Sequence, residues 1–327
     1  MSRTAVAQLR PAPGEVARGL VSVPGVDPPW ELPLVVIRGR EPGPTWAITS
    51  GVHAAEYVPI AAVTEFTRSL DPTSLRGTVI AVLIVNYPGF FERSIYVNPR
   101  DGKNINRVFP GDPQGSASER VAAFISNEVI SGSDAYLDAH CGDLIEALSP
   151  FVLWDRTGDE SVDRRSEAMA RAFGLEHVMS VAPATIGGTS SGSASARGIP
   201  AITAEAGQQG ICDPKVVERY VLGLRRLGAH LGLLDAPKGE VPPAQELIEF
   251  DWLRSQVTGV WRPSVLAGER VQKGQVVGVL RDLFGEELTQ AHAGATGPVI
   301  FCVTSLPVRP GDPLVGIGVT PGGERTQ

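Results

Sequence analysis

From Thr45 to Leu234 the chain alternates between short apolar runs and stretches whose apolar residues recur at helical spacing. TWAITSG (45–51), GTVIAVLIVN (77–86), DAYLDAH (134–140), PFVLWD (150–155) and GIPAITAEAG (198–207) have the length and β-branched content of buried strands. Helical periodicity fills HAAEYVPIAAVTEFTRSL, SASERVAAFISNEVI, ESVDRRSEAMARAFG and DPKVVERYVLGLRRLGAHLGLL. Several carry end signals: Ser116 with Glu119 as a capping box, Asp213 before Pro214 as an N-cap, and Gly174 as a stop. Strands alternating with helices predict an α/β domain with a mixed, mostly parallel sheet flanked by helices.

The flanks differ. Residues 1–44 are rich in Pro and Gly with short Val/Leu runs and read as an N-terminal β extension of the domain over 1–235. APKGEVPPAQ (236–245) reads as a linker. Over 246–327, Val-rich runs are broken by Gly and Pro every eight to twelve residues, which predicts a small all-β domain of barrel or sandwich type. VLAGERVQKGQVVGVL and GATGPVIFCVTSLPVRPGDPLVGIG look like two halves of a pseudo-repeat. Between Tyr87 and Gly115 lies a long stretch without periodicity, and loops that long inside compact domains are usually functional or disordered.

Composition excludes several partners. The 327 residues carry 29 Lys and Arg against 36 Asp and Glu, a net charge of −7 without a dense basic run, so nucleic acid is not an expected partner. No run of apolar residues is long enough to cross a membrane, and MSRTAVAQLRPAPGEV lacks the apolar core of a signal peptide. Three scattered cysteines without a CxxC argue against a disulfide framework and a cysteine-built zinc site, and the expected address is cytoplasmic. Pairing between copies of the chain stays open, since the β domain offers sheet edges.

Three predicted strands run into residues that bind metals or move protons: TWAITSG into His53 and Glu56, YLDAH into His140, and IPAITAE into Glu205. In open α/β sheets ligands sit beyond the carboxyl ends of strands, so these distant residues can converge. A three-residue spacing at a helix start puts His53 and Glu56 on one face. With His140 they would supply the three protein ligands that a catalytic zinc needs beside an open water position. Taken alone the HxxE pair is equally a capping histidine beside a solvated glutamate. Asp138, two residues before His140, shares its strand face and is placed to orient the imidazole. Glu205 ends an apolar strand, where desolvation raises a carboxylate pKa toward the range of a general acid–base. In DGKNINRVFPG (101–111), Asn106 and Arg107 offer a directed donor and a planar fork suited to a substrate carboxylate. Arg93 or Arg100 upstream could polarise a carbonyl. The Gly/Ser-rich segment 184–198 either lines an acyl pocket or is an ordinary loop.

Taken in order, SGVHAAE, DGKNINRVFPG, LDAHCGDLIEA and TAEAG resemble the succinylglutamate desuccinylase/aspartoacylase family, a branch of the zinc carboxypeptidase-like hydrolases. The resemblance spans about residues 40–235. It implies one zinc per chain held by His53, Glu56 and His140, with Glu205 as base and then acid. It further implies a carboxylate grip by Asn106 and Arg107, and an upstream arginine, Arg93 in preference to Arg100, on the carbonyl. The expected activity is hydrolysis of the amide of a small carboxylate-bearing substrate, an N-acyl amino acid. The alternatives are a metallocarboxypeptidase acting on peptides and a non-catalytic zinc-binding scaffold. Cys141 follows the ligand histidine, where a small residue is more usual. The β tail is similar to a biotinyl/lipoyl-type barrel-sandwich, but LRDLFGEELTQ between its halves lacks the carrier lysine, and Lys273 falls in another turn. A lid or an assembly surface is the expectation that remains for the tail.

Overall fold

A computed structural model describes residues 9–182 and 187–322. Its main sheet has nine strands in the order β1-β2-β4-β3-β5-β9-β7-β8-β10. They are β1 (Glu15–Ser22), β2 (Glu31–Arg38), β3 (Glu41–Ser50), β4 (Arg76–Val82), β5 (Ala135–His140), β7 (Phe151–Asp155), β8 (His177–Val181), β9 (Ala201–Glu205) and β10 (Gln245–Leu247), while β6 (Glu146–Leu148) belongs elsewhere. The central four, β4-β3-β5-β9, are parallel, and β7 runs antiparallel to β9. The sheet is therefore mixed, as the alternation predicted.

Both faces of the central strands are buried, so the strands read as unbroken apolar runs. Trp46, Ile48, Leu137 and Ile202 pack on one side with α1 (Tyr57–Ser69), α4 (Glu160–Phe173) and α6 (Pro214–His230). Ala47, Tyr136 and Ala201 face the other side, toward α3 (Ala117–Phe124). Chain order crosses β3: α1 leads from β3 to β4 on one flank, and α3 returns the chain to β5 on the other. The carboxyl ends of β3 and β5 thus flank a topological switch point, where an open α/β sheet leaves a crevice.

The end signals act as expected. Asp213 accepts the Lys215 N–H at 2.9 Å with Pro214 in the first turn of α6, and Gly174 closes α4 in the left-handed conformation. Glu119 accepts the Ser116 N–H at 2.8 Å. The aperiodic stretch after Tyr87 contains two short helical pieces, α2 (Tyr87–Glu92) and a 3₁₀ turn, Ile105–Arg107, too brief to show a period. Elsewhere it is pinned by side chains. Asn98 donates to Asp101 and to Ser118, and Asp101 accepts the Ser118 N–H at 2.8 Å.

Beyond β10 the described residues form only strands: β11 (Glu249–Arg254), β12 (Gly259–Pro263), β13 (Arg270–Val271), β14 (Val276–Arg281), β15 (Glu287–His292), β16 (Gly297–Val303), β17 (Pro307–Val308) and β18 (Pro313–Val319). They make two antiparallel sheets, β11-β18-β16-β13 and β15-β14-β12-β17. The pseudo-repeat has a structural counterpart. In each half a two-residue strand, a turn and a longer strand follow one another, with the short strand in one sheet and the long one in the other. Two strands cross the seam at 236–245: β10 extends the main sheet along β8, and β6 joins β16. Leu148, Phe151, Met179, Val181, Leu247 and Ile300 pack together along that seam.

One buried carboxylate yields a stability prediction. Asp155, at the end of β7, is 5% exposed, and burial pushes its pKa up to about 6, against which Ser191 supplies one hydrogen bond. The folded state holds this proton more tightly than the unfolded chain, so the group's contribution falls as pH rises from about 4 to 6. Asp155→Asn mimics the protonated form. Denaturant melts should find both proteins alike at pH 4 and the variant more stable by about 1–3 kcal/mol at pH 8; equal stability at pH 8 would refute the account.

Candidate active site

Gly51 follows β3 with a positive φ of 64°, and a Cβ there would crowd Ile60 at 3.0 Å. The chain turns at this point, and His53 and Glu56 follow in the turn ahead of α1. The pair was expected on one face of a helix start. In the structure Glu56 is the N-cap and the helix begins at Tyr57, so the two are brought together by the turn instead. Their separation suits a shared ion all the same: His53 Nδ1 lies 2.7 Å from Glu56 Oε1. His140, the last residue of β5, places its Nδ1 2.8 Å from Glu56 Oε2.

The outer ring nitrogens are occupied. His53 Nε2 lies 3.1 Å from Asn104 Oδ1, and His140 Nε2 lies 2.8 Å from Asp138 Oδ2. Such outer acceptors fix a histidine's orientation and leave its inner nitrogen for a metal. Candidate ligand atoms of His53, Glu56 and His140 all fall within 4.8 Å of one another, with Glu56 and His140 buried. The donor set is that of a catalytic zinc site. Without a cation the charge distribution is awkward. Burial opposes protonation of His140, yet Asp138 and Glu56 outweigh it and hold its pKa well above the ordinary value. Burial likewise disfavours the Glu56 carboxylate, but His140 and His53 keep it ionised. A divalent ion would take the place of the protons these inner nitrogens otherwise need, so the residues fit zinc.

Asp138 is fully buried among donors: it accepts from Thr49 Oγ1 at 2.7 Å, from Ser190 Oγ, and from Asn106 Nδ2 at 3.2 Å. Strand alternation put Asp138 and His140 on one face, and the structure keeps them there. Asn106 also accepts the Ser190 N–H at 2.8 Å through Oδ1. Both ends of its amide are engaged inside the protein, and it does not line the cavity described next.

A cavity of about 810 Å³ is lined by His53 and Glu56, with His140 buried behind them. Glu205 lines it, brought beside His140 by the parallel register of β5 and β9. Burial, reinforced by Glu56, Glu146 and Asp138 and only partly opposed by His140, raises the Glu205 pKa well above normal. Arg107 is also in the lining; burial lowers its pKa while Glu205 counteracts that. Arg93 is elsewhere: it closes α2 with φ 55°, is exposed, and is not among the lining residues. Arg100 is held over the Trp30 ring at 5.3 Å and donates to the carbonyls of Pro28 at 2.6 Å and Pro29 at 3.3 Å. The cation that joins Arg107 in the lining from the main sheet is Arg156, just after β7.

Sequence reasoning passed over several lining residues. Glu146 and Tyr96 are bonded to each other at 2.6 Å, and Tyr96 has a φ of 57°, its N–H held by Asp143 Oδ2 at 2.9 Å. Glu146 lies within LDAHCGDLIEA, so proximity to His140 was its one available signal. Phe250, Trp252 and Arg254 of β11, with Phe301 of β16, form the wall across the seam. Cys141 lines the cavity too, its N–H donating to Glu56 Oε2 at 3.1 Å while burial pushes its thiol pKa up. Of the Gly/Ser-rich segment, 184–186 lie outside the described residues; Gly187 is in the lining, and Ser190–Ser195 form the short helix α5 beside β9. No helix among the described residues is long and apolar enough to cross a membrane.

Known proteins share this fold and family. The model of the succinylglutamate desuccinylase/aspartoacylase catalytic domain matches residues 42–231. The N-alpha-acetyl-L-2,4-diaminobutyric acid deacetylase of Halomonas elongata is 29% identical over 259 residues, 77% of this chain and 74% of its own length. Among solved structures, the product-bound ectoine utilization protein EutE (DoeB) from Ruegeria pomeroyi superposes with a TM-score of 0.86 at 24% identity, covering 93% of this chain and 95% of its own. An aspartoacylase family protein from Mesorhizobium loti gives 0.80 at 26% identity, with 95% and 96% covered.

Proposed function

The chain belongs to the succinylglutamate desuccinylase/aspartoacylase family, and from that premise we propose that it is a zinc-dependent deacylase of N-acyl amino acids. The observation that carries the reading is the convergence of His53, Glu56 and His140, of which His53 and Glu56 line a cavity shared with Glu205 and Arg107 while His140 is buried directly behind Glu56. The relative from Halomonas elongata, by its name a deacetylase of an N-acetylated diamino acid, supports an acetyl-sized acyl group.

In this reading His53, Glu56 and His140 hold one zinc, which when bound lowers the pKa of its water and polarises the amide carbonyl. Glu205 takes the proton from the attacking water and returns it to the departing amine nitrogen. A raised pKa suits both halves of that cycle, because the group must give up its proton as readily as it takes it. Arg107 binds the substrate carboxylate and sets the register of the amide. Asn106 acts behind it, fixing Asp138 and through it His140. Phe250, Trp252 and Phe301 close one side with apolar surface, which limits water and strengthens the charges within.

The test is a kinetic panel of N-acetyl amino acids and dipeptides, run on zinc-loaded protein, on chelator-treated protein, and on Arg107→Ala. Hydrolysis of the acetyl compounds, lost on chelation and restored by zinc, is expected. Arg107→Ala should raise KM about 10–100-fold, as loss of a charged hydrogen bond implies. Preference for dipeptides would favour a peptidase instead.

A further inference from the structure

Glu146 differs from the other acids of the cavity. Glu56 lies between two histidines, and Glu205 faces the charge of Arg107. Glu146 has only neutral donors: the Tyr96 hydroxyl at 2.6 Å on Oε1 and the Asp143 N–H at 2.9 Å on Oε2. No Lys, Arg or His among the described residues forms an ion pair with it. Glu56, Asp143 and Glu205 are acids in its neighbourhood, and burial together with Glu56 and Asp143 raises its pKa to about 7. A carboxylate withdrawn from water among like charges is costly until a cation joins it. Each oxygen keeps a second lone pair for one.

We propose that Glu146, oriented by Tyr96, receives a protonated amine of the substrate, so that the substrate class is N-acyl amino acids bearing a second, free amine. This rests on the deacylase reading above. It goes further by giving the cavity two opposite recognition charges, Arg107 for the carboxylate and Glu146 for the ammonium, around the acyl amide at the metal residues. Tyr96 is the positioning residue, holding one Glu146 oxygen while its own backbone is held by Asp143.

The experiment compares kcat/KM for Nα-acetyl-2,4-diaminobutyrate with that for Nα-acetyl-2-aminobutyrate, which keeps the carbon chain and lacks the amine. Both are measured at pH 8 on zinc-loaded wild type and Glu146→Gln. Wild type should favour the diamino compound by about 10–100-fold, mostly in KM, the range expected for a charged hydrogen bond. Glu146→Gln should shrink that ratio toward one. A wild-type ratio near one, which needs no variant to observe, overturns the ammonium site while the deacylase reading stands. A preference that survives Glu146→Gln overturns it too. Failure to hydrolyse any N-acyl amino acid overturns the deacylase reading itself, and the ammonium site with it.

Discussion

Glu205→Gln is expected to lower kcat by about 10³-fold or more while the protein still binds one zinc per chain, in keeping with the loss of a general base that also serves as the acid. The substitution keeps shape and removes only the proton acceptor. It also removes a negative charge from a buried group already crowded by Glu56, Glu146 and Asp138, so the fold should gain stability. Elemental analysis, a melt and single-turnover kinetics on the same preparation separate the effects. Turnover within tenfold of wild type, with zinc in place, would remove Glu205 from the proton path.

His140→Ala is expected to abolish zinc binding and activity together, and to destabilise the protein. The imidazole bridges two carboxylates, Asp138 through Nε2 at 2.8 Å and Glu56 through Nδ1 at 2.8 Å, both deep in the fold. Deleting it leaves those acids without their cation partner, a change that costs about 3–5 kcal/mol when one side of a buried pair is removed. Zinc per chain, measured by elemental mass spectrometry on untagged protein, should fall from about one to near zero. A variant that still carried a full equivalent would show that the metal sits elsewhere.

The parts of this site that a reader of the sequence can find are those that local periodicity exposes. A strand's end is marked by where its apolar run stops, and His140 and Glu205 stand at such stops. The turn after β3 is harder: three-residue spacing suggests a helix face, whereas Glu56 occupies the N-cap position ahead of the helix with its carboxylate turned to the histidines, and only the geometry after Gly51 distinguishes the two. Arginines in an aperiodic loop carry no directional signal. Arg93 and Arg100 were therefore indistinguishable from Arg107 by composition, although Trp30 and the Pro28 and Pro29 carbonyls hold Arg100 elsewhere. Asn106 reads as a substrate donor because it precedes Arg107; its burial beside Asp138 is a tertiary fact. The wall of β11 could not be read at all, since it depends on how two separately patterned regions pack.

That wall lies outside the 42–231 span that matches the family's catalytic domain, whereas the proposed metal residues and Glu205 lie within it. Mutations along β11 can therefore reshape which molecules fit without passing through an inactive intermediate. Selection can explore new diets for such an enzyme one aromatic at a time, with the reaction centre inherited unchanged, and descendants should diverge fastest at this boundary.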